Sequence, residues 1–215
     1  MKFASLSFLF LLLSCSKNSP ELEAKYKQAM IHFHKKELNE SLKTFLEIKK
    51  DNPDYKDTRL FIGKIYYYAG KFEEASEVLS KASTHNEANI NISIWNLKSL
   101  LAFKKDIKEK ELILVQAEKL AELDSSNIEL LNILARLYLD TKKVDKAMMT
   151  YRRILLFEED LSIAHFELSK LFESNGLSTE KEFHLEKAIL LSNNNKKLLE
   201  IYKKGQKDEP EVKKK

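Results

Sequence analysis

A pattern of small, aromatic and aliphatic residues recurs along this chain with the same internal spacing. One copy begins at residue 62, and matching residue types follow 72 residues later and again after a further 34 residues. A partial copy precedes the first by 34 residues. A fixed period of this length predicts repeated units that bury their apolar faces against their neighbours. In chain order the copies are Ala29, Ser41, Phe45 and Ile48; then Ile62, Gly63, Tyr66, Ala75, Leu79 and Ala82; then Leu134, Ala135, Tyr138, Ala147, Tyr151 and Ile154; then Leu168, Ser169, Phe172, Leu185 and Ala188.

Within each copy the residues follow the period of a pair of amphipathic helices. One apolar stripe runs from Leu60 and ends at Gly70, and a second begins at Phe72 and continues to Ala82. A small residue such as Gly63 lets two helices cross closely, and an aromatic residue one turn later fills the adjacent space. With four glycines and three prolines in 215 residues, the chain lacks the turn residues of β-sandwiches and glycine-rich phosphate-binding folds. The sequence therefore predicts an all-α repeat fold.

This pattern resembles the tetratricopeptide repeat (TPR), a helix-turn-helix unit of about 34 residues. The resemblance implies an all-α, right-handed superhelical solenoid of about five TPR units. In the third unit Leu101, Lys104 and Ile113 stand where the pattern has small, aromatic and small residues. We expect four extra residues around Ser83 to Asn91, between the second and third units. The expected units are 22–55, 56–89, 94–127, 128–161 and 162–195.

The segments that flank this array have their own sequence character. Residues 196–206 carry an apolar stripe backed by lysines, which predicts a capping helix for the last repeat. Residues 207–215 are basic and polar, which predicts a disordered tail.

The amino terminus has the layout of a secretory signal. Lys2 is followed by an apolar stretch, and Leu12-Leu13-Ser14 leads into Cys15, the only cysteine of the chain. This resembles a bacterial lipobox, which implies a signal peptide at 1–14, a lipid attached to Cys15 and a tether over 15–21. Several acyl chains at about 0.8 kcal/mol per buried methylene give a stable membrane anchor. The alternative is an ordinary signal peptide with a chance cysteine.

The charge distribution bears on location and partners. The formal net charge is +4, and residues 196–215 carry it, with eight lysines against four acidic residues. The remaining chain is nearly neutral, so we expect no nucleic-acid partner. The resemblance to lipoproteins implies attachment in the bacterial cell envelope. In enteric lipoproteins an aspartate after the lipidated cysteine retains the protein in the inner membrane, and here Ser16 stands at that position. The resemblance therefore favours the outer membrane, with the protein on its periplasmic or surface face.

No catalytic constellation is apparent in the sequence. The five histidines do not form a metal-ligand pattern, although His165 and His184 lie in the two helices of one repeat and could approach each other. No serine or cysteine stands in a nucleophile motif, and paired carboxylates such as Glu73 and Glu74 fit solvated helix faces. We expect no metal, no cofactor and no enzymatic activity.

The TPR resemblance implies a concave surface built from the first helix of each unit. It combines aromatic side chains with regularly spaced cations, which suits a peptide that carries apolar and acidic groups. The partner class is then other cell-envelope proteins, which the array would bind as a scaffold or assembly factor. For each aromatic residue the alternative is simple packing between units. The face comprises Tyr26, Met30, Phe33, Leu60, Lys64, Tyr67, Tyr68, Lys98, Ala102, Asn132, Arg136, Leu139, Phe166, Lys170 and Glu173.

A second function class fits the same sequence. Some repeat lipoproteins enclose a small molecule or lipid and work with a transporter, and a closed apolar pocket distinguishes them from scaffolds. A third class, an enzyme, would need a site contributed by a partner.

Overall fold

The computed structural model describes residues 20–85, 89–192 and 199–200 of the chain. Between residues 20 and 191 the described segments form ten α-helices, and no β-strand occurs in them. The all-α prediction is confirmed. The helices are α1 (Pro20–His34), α2 (Leu38–Asp51), α3 (Thr58–Tyr68), α4 (Phe72–His85), α5 (Ile90–Phe103), α6 (Ile107–Leu123), α7 (Ile128–Asp140), α8 (Val144–Phe157), α9 (Ser162–Ser174) and α10 (Ser178–Leu191).

Consecutive helices pack in pairs, and each pair is joined by three residues. In four of the five connections the middle residue has a left-handed backbone: Lys36 (φ 62°), Gly70 (φ 75°), Lys142 (φ 59°) and Gly176 (φ 71°). The amide that follows each of them donates to a carbonyl five residues earlier, as from Leu177 to Phe172 at 2.9 Å. This is the Schellman arrangement, which satisfies the last carbonyls of a helix and reverses the chain.

The connection between α5 and α6 is built differently. Asp106 caps α6, and its side chain accepts a hydrogen bond from the amide of Lys108 at 2.8 Å. A side-chain cap of this kind satisfies an amide at the start of the second helix rather than a carbonyl at the end of the first. The third hairpin therefore turns by another local mechanism, consistent with its divergent sequence.

The predicted register of the third unit is wrong. The expected start at residue 94 lies inside α5, which begins at Ile90. Residues 104–106 follow the equivalent turn 69–71 by 35 residues, and α6 has 17 residues where α2, α4, α8 and α10 each have 14. Most of the extra length is thus in α6 and not around Ser83 to Asn91. The fully buried small residue of α5 is Ser99, two positions before Leu101.

The chain divides between residues 86 and 87 into two compact units, of which the structure describes residues 20–85 and residues 89–192 with 199–200. In the first unit, the side chains of Phe45, Ile48 and Ile62 are fully buried between α1, α2 and α3. The hydroxyl of Ser41 donates to the carbonyl of Ala29 at 2.9 Å, so two small buried residues join α2 to α1. Here the repeated small positions allow close helix contact, as their residue types predict.

The second unit contains α5 to α10 and a larger core. Leu130, Leu134 and Ala135 of α7 lie in it, and Tyr151 of α8 is almost fully buried. Tyr151 occupies the repeat position of Leu79. A buried aromatic ring therefore stands in the second unit where the first unit has a buried aliphatic side chain. A smaller cluster of Leu185 and Ala188 lies on α10.

Several predicted segments lie wholly or mainly outside the described residues. They are the signal peptide 1–14, the lipidated Cys15 with most of the tether 15–21, the capping helix 196–206 apart from residues 199–200, and the tail 207–215. None of the helices in the described part of the chain is long and apolar enough to cross a membrane.

Candidate functional site

Aromatic rings from α1, α2 and α3 form a continuous cluster in the first unit. Phe45 stacks on Phe61 with ring centroids 5.4 Å apart, and Phe33 meets Phe61 edge-on at 5.1 Å. Tyr26 contacts Phe45 at 5.8 Å and Tyr55 at 5.9 Å, both edge-on. Offset and edge-to-face pairs of this kind are each worth about 0.5–1.5 kcal/mol beyond burial of area. This aromatic cluster holds the first helices of two hairpins together.

Tyr26 lies inside the aromatic cluster rather than on an open surface. Its ring is half-buried, and the ammonium of Lys56 lies 5.0 Å from the ring centroid. Burial, with the charge of Asp57 as a lesser cause, raises the pKa of Tyr26 to about 12. Tyr26 therefore stays neutral and contributes mainly to packing.

Four residues of α3 were predicted for the concave face, and one of them, Leu60, is buried at 6% exposure and contributes to packing instead. Lys64 is half-buried with its ammonium 5.3 Å from the centroid of Phe61. The ring of Tyr67 packs edge-on against Phe72 at 5.2 Å. The side chain of Tyr68 is 55% exposed and lies 6.4 Å from Phe33. Of the predicted aromatic residues on α3, Tyr68 is the more exposed.

A cavity of about 370 Å³ opens beside Tyr68. Its walls are Phe33, His34, Lys36, Leu38 and Tyr68, and we call it the Phe33–Tyr68 pocket. The sequence pattern identified Phe33 and Tyr68 but missed the other three, which lie at the end of α1, in the hairpin turn and at the start of α2. The reversal at Lys36 carries Leu38 next to the end of α1, a proximity that helical spacing alone does not reveal.

In the second unit, Lys98 and Asn132 make contacts within the chain. The ammonium of Lys98 donates to Glu129 at 2.9 Å and lies 3.7 Å from the centroid of Trp95. Asn132 donates to the carbonyl of Ile128 at 2.9 Å. Arg136 lies on α7 with an exposed side chain. Lys98 thus links α5 to α7 through its contact with Glu129. Its position was predicted from the third unit, whose register the structure corrects.

Phe166 and Lys170 lie together on α9. Phe166 is half-buried against the small cluster of Leu185 and Ala188. The ammonium of Lys170 lies 5.4 Å from the ring centroid of Phe166 and donates to Glu167 at 2.9 Å. This pair combines an aromatic ring with a cation, as the sequence predicted, and part of the ring packs against α10.

A second cavity, of about 550 Å³, lies between α8, α9 and α10 and has two histidines in its wall. The Nδ1 atoms of His165 and His184 are 2.8 Å apart, and Nε2 of His165 lies 3.0 Å from the carbonyl oxygen of Glu159. We call this the imidazole pocket. The sequence placed the two histidines in one repeat, and the structure brings them into hydrogen-bond contact.

Neighbouring rings hold His184 in place. It stacks on Phe172 with centroids 5.3 Å apart and meets Phe183 edge-on at 5.2 Å. Burial, followed by the charges of His165 and Arg152, lowers the pKa of His184 to about 4. His184 is therefore neutral at physiological pH. In the described residues no group of three or more His, Cys, Asp or Glu side chains is arranged to hold a metal ion.

Comparisons with known proteins agree with this architecture. Residues 128–160, which comprise α7 and α8 with their turn, match the tetratricopeptide repeat family model. The solved structure of MamA from Desulfovibrio magneticus RS-1 is similar with a TM-score of 0.72 and 13% identity, over 83% of this chain and 98% of that one. No curated protein matches the chain in sequence.

Two further solved structures share the fold. One is TTC0263 of Thermus thermophilus, described as a thermophilic TPR protein (TM-score 0.67, 14% identity, 86% of this chain and 98% of that one). The other is YrrB, described as a TPR protein with an unusual peptide-binding site (TM-score 0.65, 15% identity, 84% of this chain and 90% of that one). At these identities the similarity concerns the fold alone. The chain therefore has the fold of tetratricopeptide-repeat proteins, and its fourth hairpin carries the sequence signature of that family.

Proposed function

We propose that this protein is a non-catalytic binding module that holds a segment of another protein in the Phe33–Tyr68 pocket. The observation that carries the proposal is the cavity of about 370 Å³ whose wall includes Phe33 and the 55% exposed Tyr68. Large exposed aromatic rings next to a concavity are common anchors for protein partners. A single aromatic or aliphatic side chain of the partner fits this volume.

The charge around the pocket indicates the kind of segment. Lys36 lines the pocket and Lys35 precedes it, and both are exposed, while Glu37, next to them in sequence, accepts from His32 at 2.6 Å. A partner with Asp or Glu beside its apolar anchor is therefore favoured by complementary charge. The similarity to YrrB, described by its peptide-binding site, supports a peptide ligand.

The proposal extends to the cell envelope. We propose that Cys15 carries the lipid implied by its lipobox-like context, and that the anchored protein lies at the outer membrane, on the periplasmic or surface face. The position of Cys15 at the end of the apolar stretch supports this. Cys15→Ala should release the protein from the membrane fraction and change its electrophoretic mobility. An unchanged fraction and mobility would refute lipidation while leaving the pocket proposal intact.

Photo-crosslinking in cells tests the pocket. A photoreactive residue at position 68 should crosslink to partner peptides that carry an apolar residue next to Asp or Glu. Lys36→Glu should abolish these crosslinks by reversing the charge of the rim, whereas Met149→Ser, at a 69% exposed position on α8, should leave them unchanged. Crosslinks that persist with Lys36→Glu would contradict the proposal.

The residues predicted from the sequence supply a second test. Tyr67→Ala combined with Lys64→Glu should reduce partner capture, and the melting temperature shows whether these residues act mainly in packing. Tyr67 packs on Phe72, so we expect this double variant to lose more thermal stability than Tyr68→Ser does.

A second candidate function, binding of a small molecule delivered to or from a transporter, is favoured by one observation. The imidazole pocket is large enough for a small organic ligand and carries polar groups among apolar walls. Native mass spectrometry distinguishes the two functions, because a small-molecule carrier would retain a bound ligand of low mass after purification.

A further inference from the structure

The hydrogen bonds of the histidine pair determine where its protons lie. A backbone carbonyl oxygen can only accept, so Nε2 of His165 must carry a proton in order to donate to Glu159. In a neutral ring the other nitrogen, Nδ1 of His165, is then a bare acceptor. The 2.8 Å contact requires a donor opposite it, which is Nδ1–H of His184. In the neutral pair, Nε2 of His184 is therefore left with a lone pair.

The ring that carries this lone pair is rigid and lines the imidazole pocket. Phe172 and Phe183 contact His184 on two sides, and His165, at 5% exposure, fixes its third contact. A hydrogen-bond acceptor held in this way is preorganised, so ligand binding does not carry the entropy cost of orienting it. His184 stays neutral because burial, the largest cause, lowers its pKa, which keeps the lone pair available at physiological pH.

The other walls of the imidazole pocket define the complementary ligand. Glu159 and Asp160 line one part of it, and Lys187 is the one lining residue with a permanent positive charge. Arg152, which does not line the pocket, lies over the ring of Phe172 at 5.4 Å. Two carboxylates, one ammonium and a neutral imidazole acceptor favour a monocation that donates hydrogen bonds.

The remaining lining is apolar. Leu155, Phe183 and Leu191 provide hydrocarbon surface beside the polar groups. A ligand that is only a small hydrated cation would leave this surface in contact with water, whereas a cation with an apolar body would cover it. The volume of about 550 Å³ lies within the range of sites for small organic molecules.

We propose that the imidazole pocket binds a small organic ammonium ion with an apolar body. Its N–H group donates to Nε2 of His184, its charge lies beside Glu159 and Asp160, and its hydrocarbon part packs on Leu155 and Phe183. This site shares no residue with the Phe33–Tyr68 pocket, so it stands or falls independently of the peptide-binding proposal.

Titration of the purified protein with n-hexylammonium chloride, followed by ¹H–¹⁵N spectra at neutral pH, tests the site. We expect saturable shifts at residues 159–160 and 183–187. Two probes separate the interactions: n-hexanol lacks the charge, and hexyltrimethylammonium keeps the charge but has no N–H donor. Both should bind at least about ten-fold more weakly than hexylammonium. Equal affinity of hexanol and hexylammonium, or no saturation below about 10 mM, would overturn the proposal.

Variants test the individual groups. His184→Phe keeps the ring packing and removes the acceptor, so affinity for hexylammonium should fall about ten-fold or more. Glu159→Gln keeps the backbone carbonyl that holds His165 and should weaken binding about three-fold to ten-fold. Glu180→Gln, an exposed change on α10 outside the pocket, is the matched control and should bind like the unmodified protein. Unchanged affinity in both His184→Phe and Glu159→Gln would refute the assignment.

The proton arrangement has its own readout. Long-range ¹H–¹⁵N spectra of the imidazoles should show His184 protonated on Nδ1 and His165 protonated on Nε2. A His184 protonated on Nε2 would remove the acceptor on which the ammonium site depends, and would overturn the proposal even if an amine bound nearby.

Discussion

The branched end of the Leu79 side chain occupies the space that a Cβ atom at Gly63 would need. Both residues are fully buried at the crossing of α3 and α4. The same repeat position is alanine at Ala29 and Ala135 and serine at Ser169, so this hairpin carries the smallest residue of the four. The repeat pattern allows glycine, alanine or serine at this position. In this hairpin the position of Leu79 leaves room only for glycine.

Gly63→Ala should therefore destabilise the protein by about 1–3 kcal/mol, because the added methyl forces Leu79 out of its position. Urea unfolding measures the change. Leu79→Ala opens the space at a cost of about 2–5 kcal/mol, and in that background Gly63→Ala should cost almost nothing. Additive effects of the two substitutions would show that the steric contact is not the cause.

Two of the four left-handed turn residues are lysines and two are glycines, so substitutions at these positions test the cost of the backbone conformation. Lys142→Gly should stabilise the protein by about 0.5–1 kcal/mol, since a side chain in this backbone conformation costs about 1–2 kcal/mol. Gly176→Ala should destabilise it by about 1 kcal/mol, purely through the backbone, because no atom lies within 4 Å of the added Cβ. Thermal unfolding of both variants provides the measurement.

Lys143→Gly is the matched control for the turn, because Lys143 has an ordinary φ of −93°. Lys143 is the N-cap of α8, a position that favours glycine, which offsets the freedom that glycine adds to the unfolded chain, so stability should change little. If Lys142→Gly were destabilising, the side chain of Lys142 would contribute more to folding than its backbone conformation costs.

The histidine pair predicts a pH dependence of stability. The pKa of His184 is lowered to about 4, below its unfolded value of about 6.5, so the unfolded chain binds the proton more readily. The contribution is fully present above about pH 6.5 and is lost as the pH falls toward 4. The full shift corresponds to about 3 kcal/mol, and partial exposure of the ring reduces the expected loss to about 1–2 kcal/mol.

Unfolding free energies between pH 7.5 and 5 measure this loss, and His184→Phe should remove most of the slope. The carboxylates of Glu23, Glu77, Glu118 and Asp124 have lowered pKa values and titrate below this window. A slope that survives in His184→Phe would assign the effect to another group.

The last hairpin presents a surface that the predicted capping helix would cover. A groove of about 300 Å³ on α10 is lined by Leu185 and Ile189 between Glu182 and Glu186. The apolar stripe and lysines of residues 196–206 complement it in both respects. Truncation after residue 195 should therefore lower stability by about 2–3 kcal/mol, as expected for uncovering a few aliphatic side chains. Removal of 207–215 alone should change nothing, and equal stability of both truncations would contradict a capping role.

The sequence predicted the helical hairpins and their buried positions well where the repeat is regular. Ala29, Phe45, Leu134 and Leu168 were singled out by spacing, and all are buried. Helix period and turn residues are local properties, so a single sequence reveals them. The third hairpin was misplaced because its turn follows the preceding equivalent turn by 35 residues rather than 34, and α6, with 17 residues instead of 14, contains the other three extra residues.

The candidate sites were predictable only in part. Tyr68 and Phe33 were identified, whereas the turn residues of their pocket were not. Lys98 was placed on an open face, but the structure pairs it with Glu129 across two helices. Such contacts depend on the rotation of one helix against another, which composition and spacing do not specify.

Sequence alone therefore determined that this chain forms repeated helix pairs, with small residues at the crossings and glycine at two of the turns, Gly70 and Gly176. These features follow from backbone conformation and helical periodicity, which act over a few residues. Tertiary structure decided that Leu79 closes over Gly63, that Tyr68 stays exposed beside Phe33 and that His165 directs a lone pair of His184 through its own hydrogen bonds. Each of these depends on packing between helices that are distant along the chain, where differences of a few tenths of an ångström decide which groups meet.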